Sequence, residues 1–155
     1  MSEDVYARLQ RLGIVLPEPP PPVASYVPCV LHGSSLYVSG QGPVEPGGRM
    51  RIGLVGADIS LEQARDDARL TAINIIAHMH VHLGDLNRVE RMLKVFGMVR
   101  AVPEFGQQPE VIEGASALFI EVFSERGQHA RSAVGLASLP RGITVEIEAI
   151  AAVRD

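Results

Sequence analysis

The chain has 155 residues, with 14 Lys and Arg against 18 Asp and Glu, a net charge of -4 and a pI of about 5.7. This length can bury one core without disulfides or metals, and a 46% hydrophobic content with mean hydropathy +0.15 suggests self-association through leftover apolar surface. The acidic balance argues against nucleic-acid partners, because phosphate binding relies on Lys and Arg.

The single cysteine and the lack of long apolar stretches indicate in which cellular compartment the protein is expected. Cys29 has no cysteine partner for a disulfide or a thiolate metal site, so we expect a buried structural thiol. The N-terminus lacks a charged segment followed by an apolar one, and no apolar stretch approaches the roughly 20 residues that span a bilayer. These features predict a cytoplasmic protein without a membrane partner.

The N-terminal region predicts a helix followed by a stiff spacer. Residues 2–12 place Val5, Leu9 and Leu12 on one helical stripe. Residues 17–22 contain five prolines, which favour polyproline II and hold the helix away from, or across, the main domain. A proline-rich ligand for Src-homology-type domains is disfavoured because flanking basic residues are missing. The predicted organisation is a helical extension (1–16), a spacer (17–23) and one domain (24–155).

The central region alternates strand and helix patterns. Strands are predicted at 26–32 and 36–39, joined by a tight turn at Gly33 and Ser34, followed by a loop at 42–48 and a third strand at 50–54. A long strand follows at 89–102 and a helix at 109–126.

The helix between these strands has clear ends. Ser60 as N-cap and Gln63 three residues later predict a capping box, and Gly84 predicts the C-terminal end. Its apolar residues recur every three or four positions and predict packing on a sheet: Leu61, Ala64, Ala68, Ala72, Ile75, Met79 and Leu83.

Two alternating runs near the C-terminus flank a Leu-Pro-Arg-Gly break at 139–142 and predict an antiparallel hairpin. With those four residues as the loop, Val134 faces Ile147, Leu136 faces Val145, Ala133 faces Glu148 and Gly135 faces Glu146. Arg131 then shares a face with the two acids. This face is either the acidic outside of an ordinary sheet or the floor of a cleft, and a slip of one residue moves Arg131 to the other face.

The element order predicts an α/β (α+β) single domain with two helices on one face of a mixed sheet. The other sheet face then has no cover within the chain. It is either wet or in contact with another copy.

The run 130–151, with Ala-Arg-Ser before Glu-Ile-Glu-Ala, resembles the RidA/YjgF family of small imine deaminases. Tyr26 in Ser-Tyr-Val, and Ser39-Gly40-Gln41 followed by Pro43, match family segments at suitable distances upstream. The resemblance covers the chain from about residue 24 onward. It implies a chorismate-mutase-like YjgF fold and a homotrimer with clefts between subunits.

The resemblance also implies an activity, namely cofactor-independent hydrolysis of reactive 2-imino or enamine acids to 2-keto acids and ammonia. Arg131 matches the arginine that binds the substrate carboxylate, for which a guanidinium fork is well shaped. Glu146 matches the acid that activates water. Glu148 is expected to pair with Arg131 or a neighbouring subunit.

Further family positions carry over to this chain as substrate-binding residues. Tyr26 is expected to line the cleft, Ser39 and Gly40 to supply polar or backbone contacts, and the Ala133 amide to help hold the ligand. The chain departs from the family at two positions. Ala133 stands where the family often has Cys, and Glu113 stands where it has Asn, so an anionic substrate is repelled there unless Glu113 is paired or points away.

Other sites are less favoured. Of His78, His80 and His82, only the first and last share a helix face, so we expect partly exposed histidines and no metal ligand set. His129 is predicted to be a solvated loop residue. Ser39 and Ser132 lack a nearby His-acid relay for nucleophilic catalysis.

Two alternative functions remain. One is a non-catalytic trimer that binds a small carboxylate metabolite, which needs Arg131 but not Glu146. The other is an endoribonuclease, which the acidic balance disfavours.

Overall fold

The computed structural model describes residues 4–155 and forms a five-stranded sheet with three α-helices. Short 3-10 turns lie at Leu86–Arg88, Ser124–Gly127 and Pro140–Gly142. The main elements in chain order are α1 (Val5–Arg11), β1 (Cys29–His32), β2 (Ser35–Gln41), α2 (Leu61–Leu83), β3 (Val89–Arg100), α3 (Gln108–Phe123), β4 (Ala130–Leu136) and β5 (Val145–Val153).

The predicted mixed sheet with two helices on one face is confirmed. Its strand order is β1-β2-β5-β3-β4; β3 and β4 run parallel, and the other pairs are antiparallel. Helix α3 approaches β3 so closely that a Cβ on Gly97 would lie 2.5 Å from the Ile112 side chain. The side chains of Val95 and Val99 are fully buried on this same face, which places the core between the sheet and the helices.

The predicted hairpin between the two C-terminal strands is wrong, because β3 lies between them. Gly97 pairs with Ala133 on one side and with Ile147 on the other. None of the four cross-strand pairs expected from the hairpin therefore forms. Residues 137–144 form a crossover long enough to pass β3. Pairing on both edges buries this twelve-residue strand more fully than an edge position would. Helix α3 makes the β3 to β4 connection, as parallel strands require.

The predicted strand at 50–54 is also wrong. This segment forms only isolated bridges, from Met50 to Val44 and from Ile52 to Ile143. It braces the crossover between β4 and β5 instead, since Gly53 N donates to Gly142 O at 3.0 Å. Gly53 has φ +150°, and a side chain there would collide with Ile59.

The signals predicted for the two ends of α2 are confirmed. The Ser60 hydroxyl and the Gln63 side chain form the capping box of α2, and Gly84 ends this helix with φ +77°. Strand β1 begins three residues later than predicted, directly after Pro28, which has no N–H to donate to a ladder.

The N-terminal helix lies across the domain. Val5 and Leu9 are buried, which confirms the predicted apolar stripe, and the Tyr6 hydroxyl lies 2.9 Å from His80 Nδ1 on α2. The first two residues of the predicted helix, 2 and 3, lie outside the described residues. In the described part of the chain, no helix is long and apolar enough to cross a membrane.

The sheet face opposite the helices carries exposed apolar side chains, as predicted. Val30 and Tyr37 are each 48% exposed, and Phe96, Met98 and Ile150 are half-buried. We refer to this surface as the open face.

Candidate active site

Arg131 lies near the start of β4, at the edge of the sheet. It pairs in register with Val95, which is buried under the helices, so its side chain points to the helix face. Its Nη1 lies 3.0 Å from Glu113 Oε2 and 3.2 Å from Ser116 Oγ, both on α3. The guanidinium is thus held against the helix, and the acid that replaces the family's asparagine is paired with it.

A neutral histidine continues this polar chain. His129 Nδ1 lies 2.6 Å from the Gly127 carbonyl, and Nε2 lies 2.9 Å from Ser116 Oγ. Burial lowers the pKa of His129, and the nearby Arg131 charge acts in the same direction, against the Gly127 hydrogen bond and Glu113, which raise it. Because the Gly127 carbonyl can only accept, Nδ1 carries the proton, and Nε2 accepts from the Ser116 hydroxyl.

The prediction of a merely solvated His129 is therefore wrong. Its ring also packs edge-on against Phe119 at 5.8 Å between centroids. Ser116 was not predicted as a site residue, although it lies three residues after Glu113 and so shares a helix face with it. Together, Ser116 and His129 fix the position of the Arg131 guanidinium without adding a charge.

Glu146 lies in β5, on the open face. It pairs in register with Met98 and is half-buried. Burial raises the pKa of Glu146, and the charge of the nearby Glu148 adds to the rise. A carboxyl group with a raised pKa is better suited to accept a proton near neutral pH.

Gly40 lets Glu146 fold back onto β2. The register between β2 and β5 shifts between Val38 and Gln41, and such bulges commonly re-aim side chains near functional sites. A Cβ on Gly40 would lie 2.8 Å from Glu146 Oε2. Gly40 therefore leaves the space that the carboxylate occupies.

The predicted common face for Arg131 and the two acids is wrong. Arg131 is on the helix face and Glu146 on the open face, with β3 and about 10 Å of sheet width between their strands. Glu148, exposed on the open face, is likewise on the opposite side from Arg131, whose carboxylate partner is Glu113. Within one chain, the two predicted catalytic groups do not share a pocket.

The remaining predicted site residues are distributed as follows. Tyr26 is 49% exposed. The Ser39 hydroxyl donates to the Val27 carbonyl at 2.8 Å, which ties the segment before β1 to β2. Ala133 packs against the core and belongs to the Arg131 edge, whereas Ser39 and Gly40 belong to the Glu146 side.

The histidines of α2 do not form a ligand set. His78 is 8% exposed and burial lowers its pKa, while His80 contacts Tyr6 and His82 is exposed. Among residues 4–155, no group of three or more His, Cys, Asp or Glu side chains could hold a metal ion. Cys29 is buried, as predicted, and burial raises its pKa to about 11.

A family model described as "YjgF/chorismate mutase-like, putative endoribonuclease" matches residues 6–144. The chain belongs to the YjgF/RidA family. This membership confirms the resemblance carried by the C-terminal motif and the fold that it implied.

Several known proteins resemble the chain over most of its length. Protein TCP17 of Trypanosoma cruzi is 43% identical over 96% of this chain and 94% of its own. The crystal structure of Atu1372 from Agrobacterium tumefaciens, a protein of unknown function, is 46% identical with a TM-score of 0.90, covering 97% and 92% of the two chains. The structure of E. coli TdcF with bound serine is 28% identical with a TM-score of 0.61, covering 89% and 94%.

Proposed function

We propose that the protein hydrolyses reactive 2-imino and enamine acids to 2-keto acids and ammonia, in clefts between the subunits of a homotrimer. The observation that carries the proposal is the state of the Arg131 guanidinium. Its Nη1 is engaged by Glu113 and Ser116, whereas Nε and Nη2 have no partner among residues 4–155. That free side of the fork matches the two oxygens of a substrate carboxylate.

A cleft between two copies would bring Arg131 and Glu146 together. The two residues occupy different faces of one sheet, so a shared site needs Arg131 from one copy and Glu146 from another. Strand β4 is an edge strand, and the open face next to Glu146 exposes apolar side chains. Packing the β4 edge of one subunit against the open face of the next covers both surfaces, which supports a closed cyclic assembly.

The chemistry follows from the two groups. Arg131 holds the carboxylate and fixes the imine carbon, which removes much of the entropy cost of the reaction. Glu146 accepts a proton from water as the oxygen attacks that carbon, and then returns it to the nitrogen. The hydroxyl of the resulting carbinolamine then gives its proton to the nitrogen as the carbon–nitrogen bond breaks, so that ammonia leaves and a 2-keto acid remains. Each step is an addition, elimination or proton transfer, so the reaction needs no cofactor.

A coupled assay tests the proposal. Threonine or serine dehydratase generates 2-iminobutanoate or 2-aminoacrylate, and ammonia release is followed with and without the purified protein. We expect release faster than spontaneous decay, and loss of this acceleration in Arg131→Ala. Arg69→Ala is the matched control, because Arg69 also pairs with a glutamate of α3, Glu121, at 3.1 Å. Wild-type release at the spontaneous rate would overturn the proposal.

A non-catalytic carboxylate-binding trimer is the second candidate. It is favoured by the serine bound to the related E. coli TdcF, because a bound amino acid needs an anchor such as Arg131 but no water-activating base. Glu146→Gln separates the two functions. A binder keeps its affinity for 2-ketobutyrate in this variant and shows no turnover in either form, whereas the enzyme loses turnover.

A further inference from the structure

We infer that Glu113 makes the site selective for ligands that carry a cationic nitrogen beside the carboxylate, namely α-amino and protonated α-imino acids, over 2-keto acid anions. The inference rests on the proposed role of Arg131 as the carboxylate anchor. It adds a second charged contact, from Glu113 to the substituent on the adjacent carbon.

The ion pair between Glu113 and Arg131 can open when a ligand arrives. The Glu113 side chain is 57% exposed and that of Arg131 is 24% exposed, at a separation of 3.0 Å. An ion pair this accessible to water contributes little, because solvent screens it and two long side chains must be ordered. Glu113 is therefore free to exchange its guanidinium contact for a ligand contact at small cost.

Charge balance then distinguishes ligands of the same shape. When the ligand carries only a carboxylate, Arg131 faces two negative groups, the ligand carboxylate and Glu113. Its single positive charge balances only one of them. An ammonium or iminium nitrogen on the next carbon supplies the missing positive charge and donates to the Glu113 carboxylate. Ser116 and the neutral His129 contribute hydrogen bonds to the cluster but no charge that would change this balance.

The same arrangement favours the reactive form of an imine and the release of its product. A protonated imine carries its positive charge on the nitrogen next to the reacting carbon, and a nearby carboxylate stabilises that form. The 2-keto acid product has lost the nitrogen. Its anion then lies beside the Glu113 carboxylate with no positive nitrogen between them, and the repulsion between the two negative charges favours dissociation.

Binding of L-alanine and pyruvate, which share one carbon skeleton, tests the inference by calorimetry. We expect the wild type to bind L-alanine at least about tenfold more tightly than pyruvate, a difference that a charge-assisted hydrogen bond from the ammonium to Glu113 inside the cleft can supply. Glu113→Gln should reduce this ratio at least about fivefold, mainly through tighter pyruvate binding. Glu121→Gln, on the same helix and also paired with an arginine, should leave the ratio unchanged.

The outcomes separate this inference from the proposed function. An unchanged ratio in Glu113→Gln, or wild-type protein that binds pyruvate better than L-alanine, overturns the inference. So does a wild type that binds no L-alanine at millimolar concentration. If the ratio shifts as expected while imine hydrolysis is absent, the selectivity stands and the deaminase proposal fails. If Arg131→Ala binds both ligands with wild-type affinity, Arg131 is not the carboxylate anchor. The selectivity inference and the proposed function then both fail.

Discussion

Arg131 and Glu146 point to opposite faces of the sheet, and strand β3 lies between the strands that carry them. The register fixes this relationship: Arg131 is opposite the buried Val95, whereas Glu146 is opposite Met98 on the open face. Each copy of the chain thus carries one half of the proposed site on its helix face and the other half on its open face. A complete site requires contact between copies.

Gly40→Ala should impair the proposed catalysis without unfolding the protein. The new methyl group would lie 2.8 Å from Glu146 Oε2, so the flexible carboxylate must move. Misplacing a catalytic group by about 1 Å costs on the order of 100-fold in rate, and we expect kcat/KM for imine hydrolysis to fall about 10- to 100-fold.

Gly106→Ala is the control for this variant, because no atom lies within 4 Å of a Cβ at that position. Urea unfolding should show that both variants stay within about 1 kcal/mol of the wild type, since only a side-chain end must give way in Gly40→Ala. Full activity in Gly40→Ala would contradict the role given to the Glu146 position.

Gly114→Ala should destabilise the protein. Alanine in a helix normally gains about 1 kcal/mol over glycine. Here the methyl group would collide with the Arg65 main-chain carbonyl of α2, which cannot rotate away, so the cost lies at the upper end of the roughly 1–3 kcal/mol that overpacking causes. We expect a net loss of about 1–2 kcal/mol in the free energy of unfolding, measured by urea denaturation. A stabilised variant would show that α2 and α3 are not packed this closely.

His129→Gln should change how stability depends on pH. Burial lowers the pKa of His129 below its ordinary 6.5, so between these two values the unfolded chain binds a proton that the folded chain does not. The stabilisation that neutral His129 gives the folded protein is complete above about pH 6.5. It is lost as the pH falls toward and through the pKa of His129 in the folded protein. We expect the variant to be about 1 kcal/mol less stable at high pH, from its lost hydrogen bonds.

The measurement is urea unfolding at several pH values between 7.5 and 5. The gap between wild type and His129→Gln should narrow as the pH falls. A gap that stays constant with pH would mean that His129 is not held neutral by its surroundings.

Much of the fold could be predicted from local signals. The capping box at Ser60, the apolar stripe of α2 and the branched residues of β3 are short-range patterns whose meaning hardly depends on the rest of the chain. The pairing of the two C-terminal strands could not be predicted from local signals. A Pro-Gly break between two alternating runs is equally compatible with a hairpin and with a crossover, and only the third strand, β3, decides between them.

The geometry of the candidate site could not be predicted from the sequence. The motif around Arg131 and Glu146 identified both side chains, yet their faces depend on the register of each strand with β3 rather than with each other. The pairing of Arg131 with Glu113 and Ser116 requires the packing of α3 against the edge of the sheet, which has no counterpart in local sequence. The neutral state of His129 likewise arises from burial that a loop position does not indicate.

Mixed assembly of two inactive variants tests the central claim most directly. Arg131→Ala and Glu146→Gln are each purified, then unfolded and refolded together in equal amounts, and imine hydrolysis is measured. If each site takes Arg131 from one copy and Glu146 from the next, random closed assembly restores both groups in about one quarter of the sites. We predict about one quarter of wild-type activity in the mixture and none in either variant refolded alone. A mixture as inactive as its components would contradict a site shared between subunits.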